Sequence, residues 1–387
     1  MSRRLRARRL RSTESIAQHR MNNTRSQTVR VGLVGCGNVS RRYLQNVASS
    51  DALSVVACAD AVPAVATALG AEFGFEVMRS ADDLLRRDDI DLVLNLTIPE
   101  SHAEITLSAL RAGKHVYTEK PLAENLEDAR RILSLASDLG LQVGCAPDTF
   151  MGAGMIACQR IIAAGDIGVP ISANGFMMTQ GPELFHPSPS FLYREGAGPL
   201  FDGGPYYLSA LVSLLGPIAS VAAVSTVGRD ERFVLVGDGA GERFPVQTPT
   251  HVASVITFAG GEVGSLVTSF DVIDTATPRL EIHGTEGSII VPAPNSWGGP
   301  VRVRRRGESS FSTLEIDDAS SGFMGMGLVE MAEALAHGRT PRADGARGLH
   351  VVEVLEGIRR SATEAQFYDI TPVSEDVAKS FGRWSAL

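Results

Sequence analysis

The sequence predicts an α/β protein in which a doubly wound Rossmann domain precedes an α+β domain with a large, open, mostly antiparallel sheet. Two observations predict the first domain: strands alternate with amphipathic helices up to about residue 150, and a glycine-rich turn follows the first strand. The second is predicted by consecutive strands with short glycine turns from residue 218 onward. Because 387 residues exceed one ordinary core, we place two domains at residues 29–150 and 151–387.

An arginine-rich segment, residues 1–28, precedes the first strand and is excluded from the fold. Residues 1–20 hold seven arginines and one acidic residue. No apolar stretch follows the arginine pair, so the segment does not have the pattern of an export signal. We expect a disordered tail. A transit peptide and a translation start at Met21 are the alternatives.

The overall composition excludes several classes of protein. A hydrophobic content of 44% with 21% charged residues is typical of a globular protein, and no apolar run reaches the length of a membrane span. The net charge of −8 argues against a nucleic-acid partner. The four cysteines show no C-x-x-C pair and no zinc-type spacing with histidine, so we expect no metal and a reducing cytoplasm.

The first strand, turn and helix lie in TVRVGLVGCGNVSRRYLQNV, residues 28–47. Gly35 and Gly37 occupy the first two positions of G-x-G-x-x-G, where the first permits a tight turn and the second lets the backbone approach a pyrophosphate. The third position is Ser40. The start of the helix would direct free N–H groups at phosphates, and its first residues are Asn38 and Val39. We also expect Val39 on the buried face of this helix.

The second strand, LSVVACAD, ends in Asp60, twenty-three residues after Gly37. A carboxylate at this distance is suited to bind the ribose hydroxyls of NAD. A 2′-phosphate would meet a like charge there, and the following AVPAV offers no arginine. We therefore predict NAD as the cofactor, with NADP as the weaker alternative.

The strand–helix alternation continues through DLVLNL, KHVYTE and LQVGCAP. Ser101 and Glu104 are spaced as a capping box for the helix after the first of these, and another helix is expected over roughly 123–139. Ligands of such sheets bind beyond the carboxyl ends of the strands. The residues predicted to meet at those ends are Gly35, Asp60, Thr97, Glu119 and Pro147.

The stretch KHVYTEKPLAENLEDA places Glu119, Lys120 and Pro121 directly after a predicted buried strand. Lys120 can handle the proton of an alcohol if burial and the positive charge of an oxidised nicotinamide lower its pKa. The alternative is an exposed lysine paired with Glu119.

The stretch GPLFDGGPYYLSALVSLLGP predicts a helix over about 203–215. Asp202 stands at its N-cap position and Tyr206 one turn on, so a capping aspartate and a packed tyrosine are the structural alternative to a catalytic role.

Three further residues are candidates for substrate contacts. Asp148 and Thr149 follow the last Rossmann strand, where the predicted domains join. His186 lies in a loop broken by prolines, LFHPSPSFLY, and loops of this kind commonly carry binding residues.

The last third of the chain predicts two glycine-turn hairpins, HVASVITFAGGEVGSLVTSFDV and LEIHGTEGSIIVPAP, followed by helices over about 325–337 and 347–365. A broad sheet needs both faces covered, and we expect these two helices on one of them.

The motifs GLVGCGNVS, ACAD, TIPESH, AGKHVYTEKPLA and GAGPLFDGGPYYLSALVSLLG resemble those of the glucose–fructose oxidoreductase / inositol dehydrogenase / rhizopine-catabolism family, from about residue 29 to 370. The resemblance implies that Glu119 contacts the nicotinamide ribose and that Lys120 lies beside the reacting substrate carbon. It implies that Asp202 and Tyr206 line the substrate pocket beside Lys120, with Tyr206 at a position where the family commonly has histidine. The hydroxyl of Tyr206 could then pass a proton if Lys120 lowers its pKa. It also implies that the free face of the second sheet pairs with another subunit, giving a homodimer or homotetramer.

Together these observations predict an NAD(P)-dependent oxidoreductase that moves a hydride between the nicotinamide and a ring hydroxyl or ketone of a sugar, glycoside or cyclitol. The predicted catalytic residues are Lys120, Tyr206 and Asp202. The predicted cofactor contacts are Gly35, Gly37, Asn38, Val39, Asp60, Thr97, Pro99, His102, Glu119 and Lys120. The predicted substrate contacts are Lys120, Asp148, Thr149, His186, Asp202 and Tyr206.

Several points stay open at the level of sequence. Either Lys120 or Tyr206 could be the final proton acceptor. A trans-dihydrodiol or nucleotide-sugar ketoreductase of the same fold is an alternative function, and a non-catalytic NAD-binding regulator is another.

Overall fold

The computed structural model describes residues 28–316 and 322–382. The arginine-rich tail therefore lies outside the described residues, apart from Thr28. In these two ranges, no helix combines the length and the apolar character that crossing a membrane would require. The described chain forms two large sheets and a separate two-stranded ribbon.

The first sheet is fully parallel, which confirms the predicted Rossmann architecture. Its strands are β1 (Val29–Val34), β2 (Leu53–Ala59), β3 (Glu76–Val77), β4 (Leu92–Asn95), β5 (His115–Thr118) and β6 (Val143–Cys145). Their spatial order is β3-β2-β1-β4-β5-β6, so the order reverses between β1 and β4. A crevice at such a reversal, outside the carboxyl ends of the strands, is where doubly wound sheets bind ligands.

Helices connect these strands and cover both faces of the sheet. They are α1 (Asn38–Val47), α2 (Pro63–Phe73), α3 (Ala81–Leu85), α4 (Pro99–Arg111) and α5 (Leu126–Leu139). Helix α5 begins later than predicted because Asn125 caps it, accepting a hydrogen bond from the Asp128 N–H. The capping box predicted at Ser101 is wrong: α4 already begins at Pro99, whose fixed φ suits a first helical position.

One prediction for helix α1 is also wrong. Val39 is 41% exposed, and the buried face is formed by Ser40, Tyr43, Leu44 and Val47. Val39 lies in the first turn of the helix and is not part of the core cluster that Tyr43, Leu44 and Val47 join.

The second sheet is mixed, with only β7 and β12 parallel among its neighbouring strands. Its strands are β7 (Pro170–Met178), β8 (Ile218–Thr226), β11 (His251–Phe258), β12 (Val263–Ser269), β13 (Leu280–Gly284), β14 (Gly287–Val291), β15 (Val301–Arg305), β16 (Ser312–Leu314) and β17 (Tyr368–Asp369). Their order is β16-β15-β14-β13-β7-β12-β11-β8-β17. This confirms the large, mostly antiparallel sheet and both predicted hairpins. The ribbon consists of β9 (Glu231–Phe233) and β10 (Arg243–Pro245).

The remaining helices are α6 (Ala153–Ala163), α7 (Pro199–Asp202), α8 (Gly204–Leu215), α9 (Met326–Ala336), α10 (Gly345–Glu364) and α11 (Glu375–Ser380). Helix α8 is buried almost all round and packs with α10 against one face of the second sheet. The sheet therefore has one covered and one uncovered face within the described chain.

Helix α9 corrects the prediction that both late helices cover the second sheet. Its buried residues Leu328, Met331 and Ala332 join the core cluster that contains Tyr43 and Leu44, on the first sheet. The periodicity of the sequence identifies the apolar face of this helix but carries no information about which sheet that face contacts.

The segment between α9 and α10 extends the edge of the first sheet. Gly144 on β6 forms an antiparallel bridge with Asp344, and the Cys145 N–H donates to the Ala343 carbonyl at 2.9 Å. Asp344 also caps α10, because its carboxylate accepts from the Arg347 N–H. Residues near the start of α10 thus complete the edge of the first sheet, whose strands all come from the amino-terminal part of the chain.

Candidate active site

Gly35 lies where the carboxyl ends of β1, β2 and β4 meet. Its φ is +94°, and a Cβ on it would lie 2.5 Å from the carbonyl carbon of Leu96, after β4. Its N–H donates to the carbonyl of Ala59, at the end of β2, over 3.0 Å. The left-handed backbone and the lack of space both require glycine here.

Gly37 is exposed, and a Cβ on it would meet no other atom within 4 Å. Helix α1 begins at the next residue, Asn38, and no side chain caps its first N–H groups. The third motif position is filled compactly, since the Ser40 hydroxyl donates to the Gly37 carbonyl over 2.6 Å. This open turn with free N–H groups fits the pyrophosphate of a dinucleotide.

Substitutions at the two glycines are therefore expected to differ in effect, one on cofactor affinity and the other on thermal stability. Gly37→Val is expected to fold with a melting temperature within a few degrees of the parent, because its φ of −70° is open to any residue. It should nevertheless bind NADH at least about tenfold more weakly, because the side chain fills the space above the turn. Thermal melting and a fluorescence titration with NADH would measure both quantities. Gly35→Ala is the contrasting variant and should melt at a clearly lower temperature; parent-like NADH affinity in Gly37→Val would contradict the assignment.

Asp60 lies opposite this turn, at the end of β2. Its Oδ2 accepts a hydrogen bond from the Cys36 N–H at 2.7 Å, and its Oδ1 accepts from the Val62 N–H at 2.8 Å. The carboxylate is half-buried, so it is held by backbone donors while part of it faces solvent. The carboxylate of Asp60 is thus hydrogen-bonded directly to the glycine-rich turn.

His102 is 1% exposed and lies between two loops of the site. Its Nδ1 is 2.7 Å from the Pro121 carbonyl oxygen, and its Nε2 is 3.1 Å from the Thr97 carbonyl oxygen. Burial lowers the pKa of His102 more than the contacts with these carbonyls and with Glu119 raise it. The predicted direct cofactor contact of His102 is not supported, because the ring is enclosed; it links the loops after β4 and β5 instead. Thr97 and Pro99 are half-buried beside it.

Glu119 follows β5 and has a donor on each carboxylate oxygen. The hydroxyl of Tyr43 donates to Oε1 at 2.7 Å, and the Lys120 N–H donates to Oε2 at 2.9 Å. The alternative of a surface Lys120 paired with Glu119 is wrong, since only the Lys120 backbone makes this contact. Sequence reasoning missed Tyr43, whose only signal was a hydroxyl on the buried face of α1.

Lys120 forms the centre of a cluster with two residues of the second half. Its Nζ donates to the Asp202 Oδ1 at 3.1 Å and to the Asp202 carbonyl oxygen at 3.0 Å. The same nitrogen lies 5.4 Å from the centroid of the Tyr206 ring. The side chain of Lys120 is 18% exposed and that of Asp202 is 34% exposed, so the cluster is sheltered but reachable.

The pKa values in this cluster bear on which group can exchange a proton. Burial by itself lowers the pKa of Lys120, but the charges of Asp202, Tyr206 and Glu119 outweigh it, so the pKa of Lys120 is raised rather than lowered. Burial raises the pKa of Tyr206 to about 12, against the lowering effect of Lys120. In the protein itself both groups therefore carry their protons at neutral pH.

The sequence offered a structural role for Asp202 as the N-cap of α8, and this alternative is wrong. Gly203 occupies that position, and Asp202 ends the short helix α7. Its carboxylate is consequently available to Lys120. A Cβ on Gly203 would lie 2.3 Å from the Cε of Met177 on β7, so the end of that strand lies directly against the cluster.

The other predicted substrate contacts are not brought to this cluster. Asp148 is 3% exposed, and its carboxylate accepts from Trp297 Nε1–H and from the N–H groups of Gly325 and Gly327 at 2.9–3.0 Å. Burial raises the pKa of Asp148 to about 6 against these hydrogen bonds. We therefore correct its role to anchoring the start of α9, and Thr149 beside it is buried.

His186 is half-buried and makes its contacts within its own loop. Its ring packs against Phe191, and its Nδ1 accepts from the Ser188 N–H at 3.0 Å. Within residues 28–316 and 322–382, no hydrogen bond or ring contact connects it to Lys120 or Tyr206. Its proposed contact with substrate has no support in this geometry.

Comparison with known proteins identifies two family profiles in the chain. Residues 29–146 match an oxidoreductase family with an NAD-binding Rossmann fold, and residues 155–290 match the GFO/IDH/MocA C-terminal domain. A 1,5-anhydro-D-fructose reductase of Ensifer adhaerens is 30% identical over 67% of this chain and 75% of its own length. An inositol 2-dehydrogenase of Rhizobium meliloti is 28% identical over 68% of this chain and 75% of its own length.

A solved structure gives the same result for the fold. A levoglucosan dehydrogenase in complex with NADH and L-sorbose superimposes with a TM-score of 0.76 at 25% sequence identity. The superposition covers 89% of this chain and 99% of that protein. The similarity thus extends over both sheets.

Proposed function

Since the chain belongs to the GFO/IDH/MocA family of NAD-binding oxidoreductases, we propose that it transfers a hydride between a ring carbon of a sugar or cyclitol and the nicotinamide of NAD. Its relatives include a sugar reductase and an inositol dehydrogenase, which act on this class of compound by their names. The assignment of substrate class rests on these relatives together with the polar cluster at the end of β5.

The observation that carries the proposal is the position of Lys120. It follows Glu119, which we assign to the cofactor, and its ammonium contacts Asp202 in the second half of the chain. A hydride transfer to or from an alcohol carbon needs a proton donor or acceptor beside the same carbon. The cluster offers two such groups, Lys120 and Tyr206, within one partly sheltered space.

The residues divide the work as follows. NAD, when bound, supplies the hydride acceptor. Gly35 and Gly37 would receive its pyrophosphate, Asp60 its adenosine ribose and Glu119 its nicotinamide ribose. Lys120 donates a hydrogen bond to the substrate oxygen and Asp202 fixes the orientation of Lys120. Tyr206 accepts the proton of that oxygen when the alcohol is oxidised and returns a proton to it when the ketone is reduced.

The carboxylate of Asp60 supports NAD over NADP. It stands beside the glycine turn with both oxygens fixed by backbone donors, so it cannot rotate away without losing two hydrogen bonds. A 2′-phosphate would therefore face a fixed negative charge.

A regulator that only senses ligands is the competing function. Such a protein needs no proton-exchanging group, whereas this chain keeps a lysine, a carboxylate and a tyrosine in one partly desolvated cluster. Withdrawing these charged groups from water costs hydration free energy. Proteins commonly accept this cost at catalytic sites, so the cluster favours an enzyme over a regulator.

The test is NADH production by purified protein given NAD and a panel of monosaccharides, glycosides and inositols, with the reverse reaction followed as NADH consumption by the matching ketones. Turnover with any member supports the proposal. Tight NADH binding without turnover of any member in either direction would favour the regulator.

We further propose that the uncovered face of the second sheet forms a subunit interface. Val224, Val255 and Val263 lie on adjacent strands of this face and are 51–70% exposed. A broad sheet with apolar residues on an open face is normally covered by another layer. A second copy of the chain can supply that layer by presenting the same face.

This proposal predicts that a charge on the face separates the subunits. Val224→Lys combined with Val255→Lys should shift the protein from dimer or tetramer to monomer, because both ammonium groups would be buried in the assembly. Analytical ultracentrifugation of the purified variants measures the change. Val62→Lys, at an exposed position before α2, is the control and should leave the assembly intact. A monomeric parent protein would contradict the proposed interface.

A further inference from the structure

We infer that Tyr43 is a positioning residue for the cofactor site, whose hydroxyl holds the carboxylate of Glu119 in the orientation that meets the nicotinamide ribose. The inference rests on the proposed function, because it assigns Glu119 to the cofactor. It adds a residue of helix α1, outside the glycine motif and outside E-K-P, to the machinery of the site.

The first argument is the hydrogen-bond geometry of Glu119. A carboxylate at a strand end can rotate about its terminal bond unless its oxygens are held. Here the Tyr43 hydroxyl holds Oε1 at 2.7 Å and the Lys120 N–H holds Oε2 at 2.9 Å. The backbone donor moves with Glu119, so Tyr43 is the partner that ties this carboxylate to another element.

The second argument is that Tyr43 itself has little freedom. It is 1% exposed, and a Cβ on Gly325 would lie 3.0 Å from its Cδ1, so the ring is packed against the start of α9. Asn46, on the same helix, donates to the Met324 carbonyl at 3.0 Å and fixes the same contact. A donor held this firmly selects one orientation of the carboxylate it contacts.

The third argument is the protonation state of Tyr43. Burial and the negative charge of Glu119 raise the pKa of Tyr43 well above that of an ordinary tyrosine. The hydroxyl therefore keeps its proton and remains a donor at every pH at which the enzyme would be assayed. Hydrogen bonds to charged groups are also the stronger kind, which gives this contact a measurable weight.

The fourth argument is the route of the contact through the fold. Tyr43 is the sixth residue of the helix whose first N–H groups would face the pyrophosphate, while Glu119 adjoins Lys120. The hydrogen bond thus connects the element that binds one end of a dinucleotide with the loop that would bind the other. This hydrogen bond fixes the positions of the two parts of the cofactor site relative to each other.

The chain provides a matched control in Tyr117. This residue is also fully buried, lies on β5 two positions before Glu119, and its hydroxyl has no hydrogen-bond partner among the described residues. Tyr117→Phe therefore removes a hydroxyl of the same type from the same region without removing a hydrogen bond. Tyr43→Phe removes the bond to Glu119 and leaves the ring in place.

The experiment is a double-mutant cycle on NADH affinity, measured by fluorescence titration, which needs no substrate. Tyr43→Phe is expected to raise the Kd for NADH about tenfold, while Tyr117→Phe leaves it within about twofold. In the cycle with Glu119→Ala, which removes the acceptor of the Tyr43 hydroxyl, the double variant should bind about as weakly as Glu119→Ala alone, because Tyr43 acts through Glu119. A purely structural role for Tyr43 would not produce this non-additivity.

Three outcomes would overturn the inference: equal NADH affinity in Tyr43→Phe and the parent, multiplicative effects in the cycle, or a melting temperature more than about 10 °C below that of Tyr117→Phe. The last would show that Tyr43 supports the fold rather than the carboxylate. If the parent protein does not bind NADH at all, the proposed function fails, and this result is distinct from all three.

Discussion

Replacing Lys120 with methionine is expected to lower the turnover rate by a factor of about 10²–10⁴, the range that a positioned acid or base contributes. Methionine has a similar length and no charge, so the packing of the stem is largely kept while the contact with Asp202 is lost. NADH affinity should change much less, because Glu119 and the glycine turn, which we assign to the cofactor, make no hydrogen bond to the Lys120 side chain. Steady-state rates and an NADH titration on the same preparation measure both.

The control for this prediction is Lys379→Met. The chain contains only three lysines, and Lys379 is an exposed one on α11 that pairs with Glu375. Its replacement should leave the rate unchanged. A Lys120→Met variant with more than about a tenth of the parent rate would remove Lys120 from the proposed chemistry.

Replacing Tyr206 with phenylalanine is expected to change the pH dependence as well as the rate. In the parent, Tyr206 has a pKa of about 12 and the pKa of Lys120 is raised, so the deprotonated form of either is scarce at neutral pH. The sign follows directly: alcohol oxidation needs a proton acceptor, so its rate should rise about tenfold per pH unit in the alkaline range. Ketone reduction needs the protonated form and should not rise with pH.

Tyr206 is the better candidate for the group behind this rise. Within the described part of the chain its hydroxyl has no hydrogen-bond partner, whereas the Lys120 ammonium is held by two oxygens of Asp202. Tyr206→Phe should therefore lose both about 10²-fold in rate and the alkaline rise. Initial rates of oxidation between pH 7 and 10 test this. A lower rate with the rise intact would transfer the proton exchange to Lys120.

The motifs of the first half were predictable because local chemistry determines them. The turn at Gly35, the carboxylate of Asp60 and the strand ends that meet around Glu119 follow from spacing within a parallel sheet. The predicted capping box at Ser101 failed for a related reason, since Pro99 is an equally valid start and the sequence does not rank the two.

Contacts between distant segments were not predictable in this way. The apolar face of α9 can be read from its periodicity, but its packing against α1 on the first sheet depends on the path of the whole chain. The same holds for Asp148, which gains its donors from residues 149 to 179 positions away. The Tyr43–Glu119 contact spans 76 residues and leaves no local pattern.

The return of α9 to the first sheet has a consequence for how the protein is made. Until the segment around residues 326–344 leaves the ribosome, the cluster containing Tyr43 and Leu44 lacks the partners that cover it, and the edge at β6 lacks Ala343 and Asp344. The amino-terminal half therefore spends most of synthesis with an apolar surface and a strand edge open to other chains. The division near residue 150 separates two sheets, yet the nascent chain can finish neither until nearly all of it has been translated.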